Sequence, residues 1–229
     1  MSDTSWRVAV VDGGIDPGSL VRALEIRRFL NRDRNILELE PNGDSTNHGT
    51  QIAAIIASTE RPLEIIAAQI MTQQGRCTPA AVAAGVDWSL ARGARLIHLS
   101  LGLRHDRSVL ARAIGEAVAA DALVVASVPA RGEATYPAAY PGVIRATGDA
   151  RCRPGEISSL ATSRVDYGGS ATHVSNTGCV LRGASVGAAH VSRFIISHMS
   201  PLLSASGVRE RLSRLAAYQG PERVSRRGD

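Results

Sequence analysis

The chain has 229 residues, 44% hydrophobic and 21% charged, which fits one sizeable soluble domain and excludes a fibrous or fully disordered chain. Aromatic residues make up only 3%, so the interior has to be built from small and branched aliphatic side chains. The formal charge of +5 gathers toward the end, from Arg209 to Arg227, with only two Phe and two Trp in the chain to interleave with it; this argues against nucleic-acid binding, and no apolar run is long enough to span a membrane.

Strand-like and helix-like segments alternate along the chain. Arg7–Val11 reads as a strand, Leu20–Leu30 as a helix, Ile36–Leu39 as a strand and His48 to Ser58 as a helix. Leu63–Gln69 then reads as a strand, Pro79–Ala91 as a helix, Arg95–Leu99 as a strand, Arg107–Ala120 as a helix, and Leu123–Ser127 and Val143–Thr147 as strands. After Gly148 shorter Ser- and Gly-rich segments suggest an antiparallel excursion, followed by helices near Ala184–His198 and Ser206–Ala217. The alternation predicts an α/β fold, a mostly parallel central sheet flanked by helices on both faces. There is no repeat and no linker, so residues 1–220 read as one domain and 221–229 as a basic, disordered tail.

Three cysteines, Cys77, Cys152 and Cys179, are an odd number without metal-type spacing and read as reduced thiols, with Cys179 expected to be packed. The first residues show neither a signal-peptide apolar segment nor a pro-segment, which leads to an expectation of a cytoplasmic protein.

Reactive groups in a parallel sheet collect at the carboxyl ends of its strands. The run Val8-Ala9-Val10-Val11-Asp12-Gly13-Gly14-Ile15-Asp16 places a carboxylate there, although many folds do the same. His48 opens a helix in Asn47-His48-Gly49-Thr50-Gln51-Ile52-Ala53, where the dipole favours the neutral imidazole that a general base needs. Ser185 lies in Gly183-Ala184-Ser185-Val186-Gly187-Ala188-Ala189-His190-Val191, a glycine-led entry into a helix whose N–H groups face a developing oxyanion. Each piece alone has an ordinary structural reading, as a turn carboxylate, a core histidine or a capping serine.

Together, in the order Asp, His, Ser, the three segments resemble the motifs of the subtilase family of serine proteases. His98-Leu99-Ser100-Leu101-Gly102 and Tyr136-Pro137-Ala138-Ala139-Tyr140-Pro141-Gly142-Val143-Ile144 resemble two further segments of that family, so the likeness runs from residue 7 to 195. It implies the subtilisin-like three-layer fold and a triad of Ser185 as nucleophile, His48 as base and Asp12 as its orienting carboxylate. It also implies an extended peptide or protein substrate, paired with Ser100, Leu101 and Gly102 on one side and Ala126, Ser127 and Val128 on the other. The sequence shows no acidic calcium-binding loop, so no metal is expected, nor any cofactor, and Asp16 and Asp44 read as turn or capping residues.

The sequence departs from the family pattern at the oxyanion side. Where the family has a glycine and then an asparagine whose side chain donates to the oxyanion, this chain has Pro129 and Ala130, leaving the Ser185 backbone N–H as donor, with Ser127 or Arg131 as a substitute if the loop is rearranged. Deleting that asparagine in subtilisin is known to cost about two to three orders of magnitude in turnover, roughly 3–4 kcal/mol. Ala184 and Ala189 replace a threonine and a proline beside the nucleophile; without the proline that shapes its first turn, the helix and Ser185 are free to shift, and the room gained around the acyl-enzyme would favour attack by an amine over water. The expected function is therefore a slow serine endopeptidase dedicated to maturing a specific peptide or protein. The alternatives are a pseudoprotease that only binds peptides, or a peptide ligase or macrocyclase acting through an acyl-enzyme.

Overall fold

Strand β1 (Trp6–Asp12) sets the layering of the molecule. Trp6, Val8 and Val10 are buried in one apolar cluster and Ala9 and Val11 in another. An alternating strand with both sets buried has a layer on each face. The computed structural model describes residues 5–16, 23–129, 132–133, 135–175 and 178–222. After β1 come β2 (Ala23–Arg32), β3 (Asn35–Leu39), α1 (His48–Ala57), β4 (Leu63–Gln69), α2 (Pro79–Ala91), β5 (Leu96–Leu99), α3 (Ser108–Ala119), β6 (Leu123–Ser127) and β7 (Ile144–Asp149). The chain continues through β8 (Ile157–Ser159), β9 (Tyr167–Ser170), β10 (Thr172–Val174), β11 (Val180–Arg182), α4 (Ala184–His198), α5 (Ala205–Leu215) and β12 (Tyr218–Gln219).

Ten strands form one sheet in the order β12-β8-β9-β7-β6-β5-β1-β4-β2-β3, and β10 and β11 form a separate hairpin. Pairing is parallel from β2 through β4, β1, β5, β6 and β7 to β9. It is antiparallel where β3 joins β2 and β8 joins β9, the latter being the excursion expected after Gly148. Residues of α1, α4 and α5 pack in the cluster of Val8 and Val10, while α2 and α3 pack in that of Ala9 and Val11. The fold is thus the expected α/β arrangement. The chain adds β4 to one side of β1 and β5 to the other, so the carboxyl end of β1 borders the crevice where ligands of open α/β sheets collect.

The helix expected over Leu20–Leu30 is instead β2 from Ala23 onward, with residues 20–22 outside the described ones. Ile26 and Phe29 are three apart, which puts them on one face of a helix but on opposite faces of a strand. Ile26 packs in the cluster under α1 and α4, whereas Phe29 is buried against the Trp88 ring of α2. Only a strand between β3 and β4, covered on both faces, serves both residues. The tail from residue 223 also lies outside the described residues.

Candidate functional site

Asp12 ends β1, and only 1% of its surface is exposed. Its Oδ1 accepts the Gly13 N–H at 2.6 Å, and its two oxygens lie 2.9 and 3.0 Å from His48 Nδ1. An ionised carboxylate can only accept, so the Nδ1 proton belongs to the histidine and Nε2 is left as the basic nitrogen. The Asp12 hydrogen bond raises the His48 pKa above its ordinary 6.5; burial pulls it down, and the charges of Asp12 and Asp44 push it further up.

The approach of His48 to Asp12 is built into the start of α1. A Cβ on Gly49 would lie 2.3 Å from the Gly14 carbonyl oxygen, so only glycine lets the helix start abut the turn after β1. The exposed first N–H groups of α1 find local partners, as helix starts require. His48 N–H donates to Thr46 Oγ1 at 3.3 Å and Thr50 N–H to Asp44 Oδ2 at 2.8 Å. Asp44 is therefore a capping residue, as the sequence suggested, and it is buried.

Gln69, at the end of β4, is a residue that sequence reasoning missed. Its Nε2 donates to Gly13 O at 2.9 Å and Gly43 O at 2.6 Å, and its Oε1 accepts the Asn42 N–H at 3.2 Å. One buried amide thereby ties the turn after Asp12 to the loop that leads to His48. The only signal in the sequence is an amide closing the apolar run Ile65-Ile66-Ala67-Ala68.

Ser185 lies in the first turn of α4, after Gly183 at φ 124°, a conformation that favours glycine. Glycines also let α4 sit directly on the sheet. A Cβ on Gly187 would come 2.2 Å from Thr147 O, and one on Gly169 would come 2.4 Å from Gly187 O. Ser185 and His48 line one cavity of about 160 Å³, together with Leu181, Arg182, Ala184 and Val186. Ala189, in the same helix, is fully buried in the core and is not among the residues that line this cavity.

Ser100 and Leu101 follow β5 and are buried, whereas Gly102 is exposed. Ala126 and Ser127 are the last residues of β6, between β5 and β7. Val128 N–H donates to Ala146 O and Val128 O accepts from Thr147 Oγ1, both at 2.8 Å. Both polar groups of the Val128 backbone thus have a partner within the protein. Pro129 is exposed; Ala130, in the expected oxyanion position, and Arg131 lie outside the described residues.

His98 is fully buried, with Nδ1 2.9 Å from Ser192 Oγ of α4 and Nε2 2.7 Å from Ser100 Oγ. Burial, with a smaller push from His48, lowers its pKa to about 3, so it is a neutral bridge between α4 and the Ser100 segment. Burial likewise lowers the pKa of His190 to about 4. Cys77, Cys152 and Cys179 are all free. Cys179, expected to be packed, is exposed because it sits at the turn of the β10–β11 hairpin rather than under α4. Among the described residues, no helix is long and apolar enough to cross a membrane.

Subtilisin DY of Bacillus licheniformis is 30% identical over 201 residues, covering 78% of this chain and 73% of that protein. The thermostable alkaline protease of Halalkalibacterium halodurans is 25% identical over 234 residues, and the chain spans 93% of its own length but only 63% of that relative. Among solved structures, a mutant of the protease domain of PatA superposes with a TM-score of 0.64 at 20% identity, covering 94% of this chain and 92% of that one, a likeness of fold. The model of the subtilase family matches residues 3–227, so the chain, whose sheet and helices also follow the subtilisin-like plan, belongs to the subtilase family of serine proteases.

Proposed function

We propose that this subtilase is a slow endopeptidase of restricted scope that works through an acyl-enzyme on Ser185, with His48 as base and Asp12 as its orienting carboxylate. The observation that carries the reading is the Asp12–His48 Nδ1 contact at 2.9 Å beside a cavity shared by His48 and Ser185. In the first step Ser185 Oγ attacks the scissile carbonyl carbon and passes its proton to His48 Nε2. The resulting imidazolium is held by buried Asp12, and the oxyanion meets the N–H groups at the start of α4. His48 then returns the proton to the departing amine, and water resolves the ester by the same route. Substrate would lie extended along Ser100–Gly102.

Slowness is inferred from Pro129 and Ala130, which leave no side-chain amide where the family has one. Dedication to one maturation substrate follows from the same feature, because a weak oxyanion site demands binding energy from elsewhere in the substrate. Three free thiols support work in a reducing compartment, the cytoplasm.

The deciding experiment is labelling with a fluorophosphonate probe. The expected result is modification of Ser185 that disappears in Ser185→Ala and His48→Ala. Silence at every pH would overturn catalysis in favour of a peptide-binding protein, and amide products in the presence of a nucleophilic amine would favour a ligase.

A further inference from the structure

The cavity of about 160 Å³ that His48 and Ser185 share has apolar walls from Ile52, Leu181 and Val186, and Arg182 also lines it. Ile52 and Val186 are buried and Leu181 packs half-buried against the core, whereas Arg182 is exposed. β11 explains the difference. Successive side chains of a strand point to opposite faces, so Leu181 turns toward the core while Val180 and Arg182 turn to solvent. The strand is fixed by its pairing with β10, where Arg182 faces Thr172, and it runs through Gly183 directly into the helix turn that carries Ser185. Arg182 therefore stands at the mouth of the cavity, in contact with solvent and with whatever enters.

The charge at this mouth is unmatched. No carboxylate is among the described residues that line the cavity, and Arg182 has neither an ion pair nor a side-chain hydrogen bond among the described residues. Arg112, Arg145 and Arg151, by contrast, each hold a carboxylate. Asp12, the carboxylate next to His48, is buried and directs both oxygens to that ring. A solvated guanidinium beside the nucleophile is thus free to meet a carboxylate brought by a ligand, which it can do with two parallel N–H donors.

The position of the cavity says which part of a substrate it meets. No residue of the Ser100–Gly102 or Ala126–Val128 segments lines it. A peptide extended along Ser100–Gly102 brings its scissile carbonyl to Ser185, and the departing amine has to lie within reach of His48, which protonates it. The residue that follows the cleaved bond accordingly falls on the His48 side, where this cavity opens.

We infer that Arg182 is a specificity-determining residue that selects substrates with an acidic residue immediately after the cleaved bond, its methylenes against Leu181 and its carboxylate on the guanidinium. The inference rests on the proposed function for the direction of the peptide, but it concerns selection and not bond cleavage. Glutamine has the shape of glutamate without the charge, and lysine is repelled.

The test uses the full chain and acetylated peptide amides with three alanines and a leucine before the cleaved bond and Glu, Gln, Leu or Lys after it. Glu is expected to exceed Gln in kcat/KM by about 2- to 5-fold, the range of an ion pair at a solvent-exposed site, and Lys should fall below Gln by a similar factor. Raising NaCl from about 0.05 to about 0.5 M should shrink the Glu-to-Gln ratio, because an exposed charge pair is screened. Arg182→Gln should bring that ratio to one, and Arg182→Glu should favour Lys. The same peptides are titrated calorimetrically into Ser185→Ala, where the order of affinities should repeat. A preference for Leu, equal treatment of Glu and Gln, a ratio unmoved by salt or by Arg182→Gln, or no binding and no cleavage of any member would each overturn the inference. Failure of the fluorophosphonate to label Ser185 would sink the proteolytic reading alone, because calorimetry still ranks the peptides. Arg182→Gln should melt within about 2 °C of the parent chain, as an exposed residue without a partner allows; a larger loss would mean that Arg182 holds the fold and would count against the inference.

Discussion

Gly49 and Gly14 are in such close contact that a Cβ on Gly49 would lie 2.3 Å from the Gly14 carbonyl oxygen. Gly49→Ala should therefore force the start of α1 away from the turn after β1 and carry His48 off Asp12. Misplacement of a reacting group by about 1 Å costs roughly 100-fold. We expect the fluorophosphonate labelling rate to fall by about that factor, with overpacking lowering stability by about 1–3 kcal/mol. A variant that labels at the parent rate would mean that the contact does not set the His48 position.

The pH dependence of labelling should report the environment of His48. Its pKa is raised, chiefly by the Asp12 hydrogen bond, so the neutral base becomes available only above its ordinary value of 6.5. The midpoint of the labelling-rate profile is expected above pH 6.5, with the rate rising toward alkaline pH. The stability contributed by the Asp12–His48 pair has the opposite trend: it is complete below the unfolded pKa and is lost as pH rises through the folded one. A labelling midpoint below 6.5 would contradict the arrangement.

His98 should make the fold acid-sensitive. Its folded pKa of about 3 lies below the ordinary 6.5, so its contribution is complete above pH 6.5 and is lost progressively as pH falls toward 3. The loss is at most about 1.4 kcal/mol per pH unit. Chemical denaturation of the parent and His98→Asn between pH 7 and 4 should show a shallower decline in the variant. At neutral pH, His98→Ala should cost about 3 kcal/mol, because it leaves a cavity and strips the Ser100 and Ser192 hydroxyls of their partner.

Gln69→Glu keeps the shape of the side chain but replaces both of its N–H donors with an acceptor. Facing the Gly13 and Gly43 carbonyl oxygens, the new carboxylate should loosen the turn after Asp12 and the loop before α1. Loss of about 2–4 kcal/mol in stability is expected, with kcat falling more than KM changes, since these segments carry Asp12 and His48 and not the substrate edge. Steady-state kinetics beside thermal melting would separate the two effects, and an unchanged kcat would show that Gln69 serves the fold alone.

Much of the plan was legible in local order. The start of α1 at His48, the bounds of α2 and the ends of β1 and β6 were readable because strand and helix periods repeat within a few residues. The segment after residue 20 was not, because Ile26 and Phe29 satisfy a helix period until β3, β4 and α2 are present to claim opposite faces. Cys179 was misread for a related reason: nearness in sequence to Ser185 says nothing about which side of a hairpin faces solvent.

By itself, then, the sequence determined the order of Asp12, His48 and Ser185, the elements that end or begin at each, and the family they resemble, since these are properties of short contiguous runs. Only the tertiary structure decided that Asp12 and His48 meet at 2.9 Å, that Gln69 braces both of their loops, and that His98 bridges Ser100 to Ser192. Those relations join residues far apart in the chain, and their energies depend on burial and on which neighbouring groups are already paired. Both quantities are set only when the sheet closes between its two layers of helices.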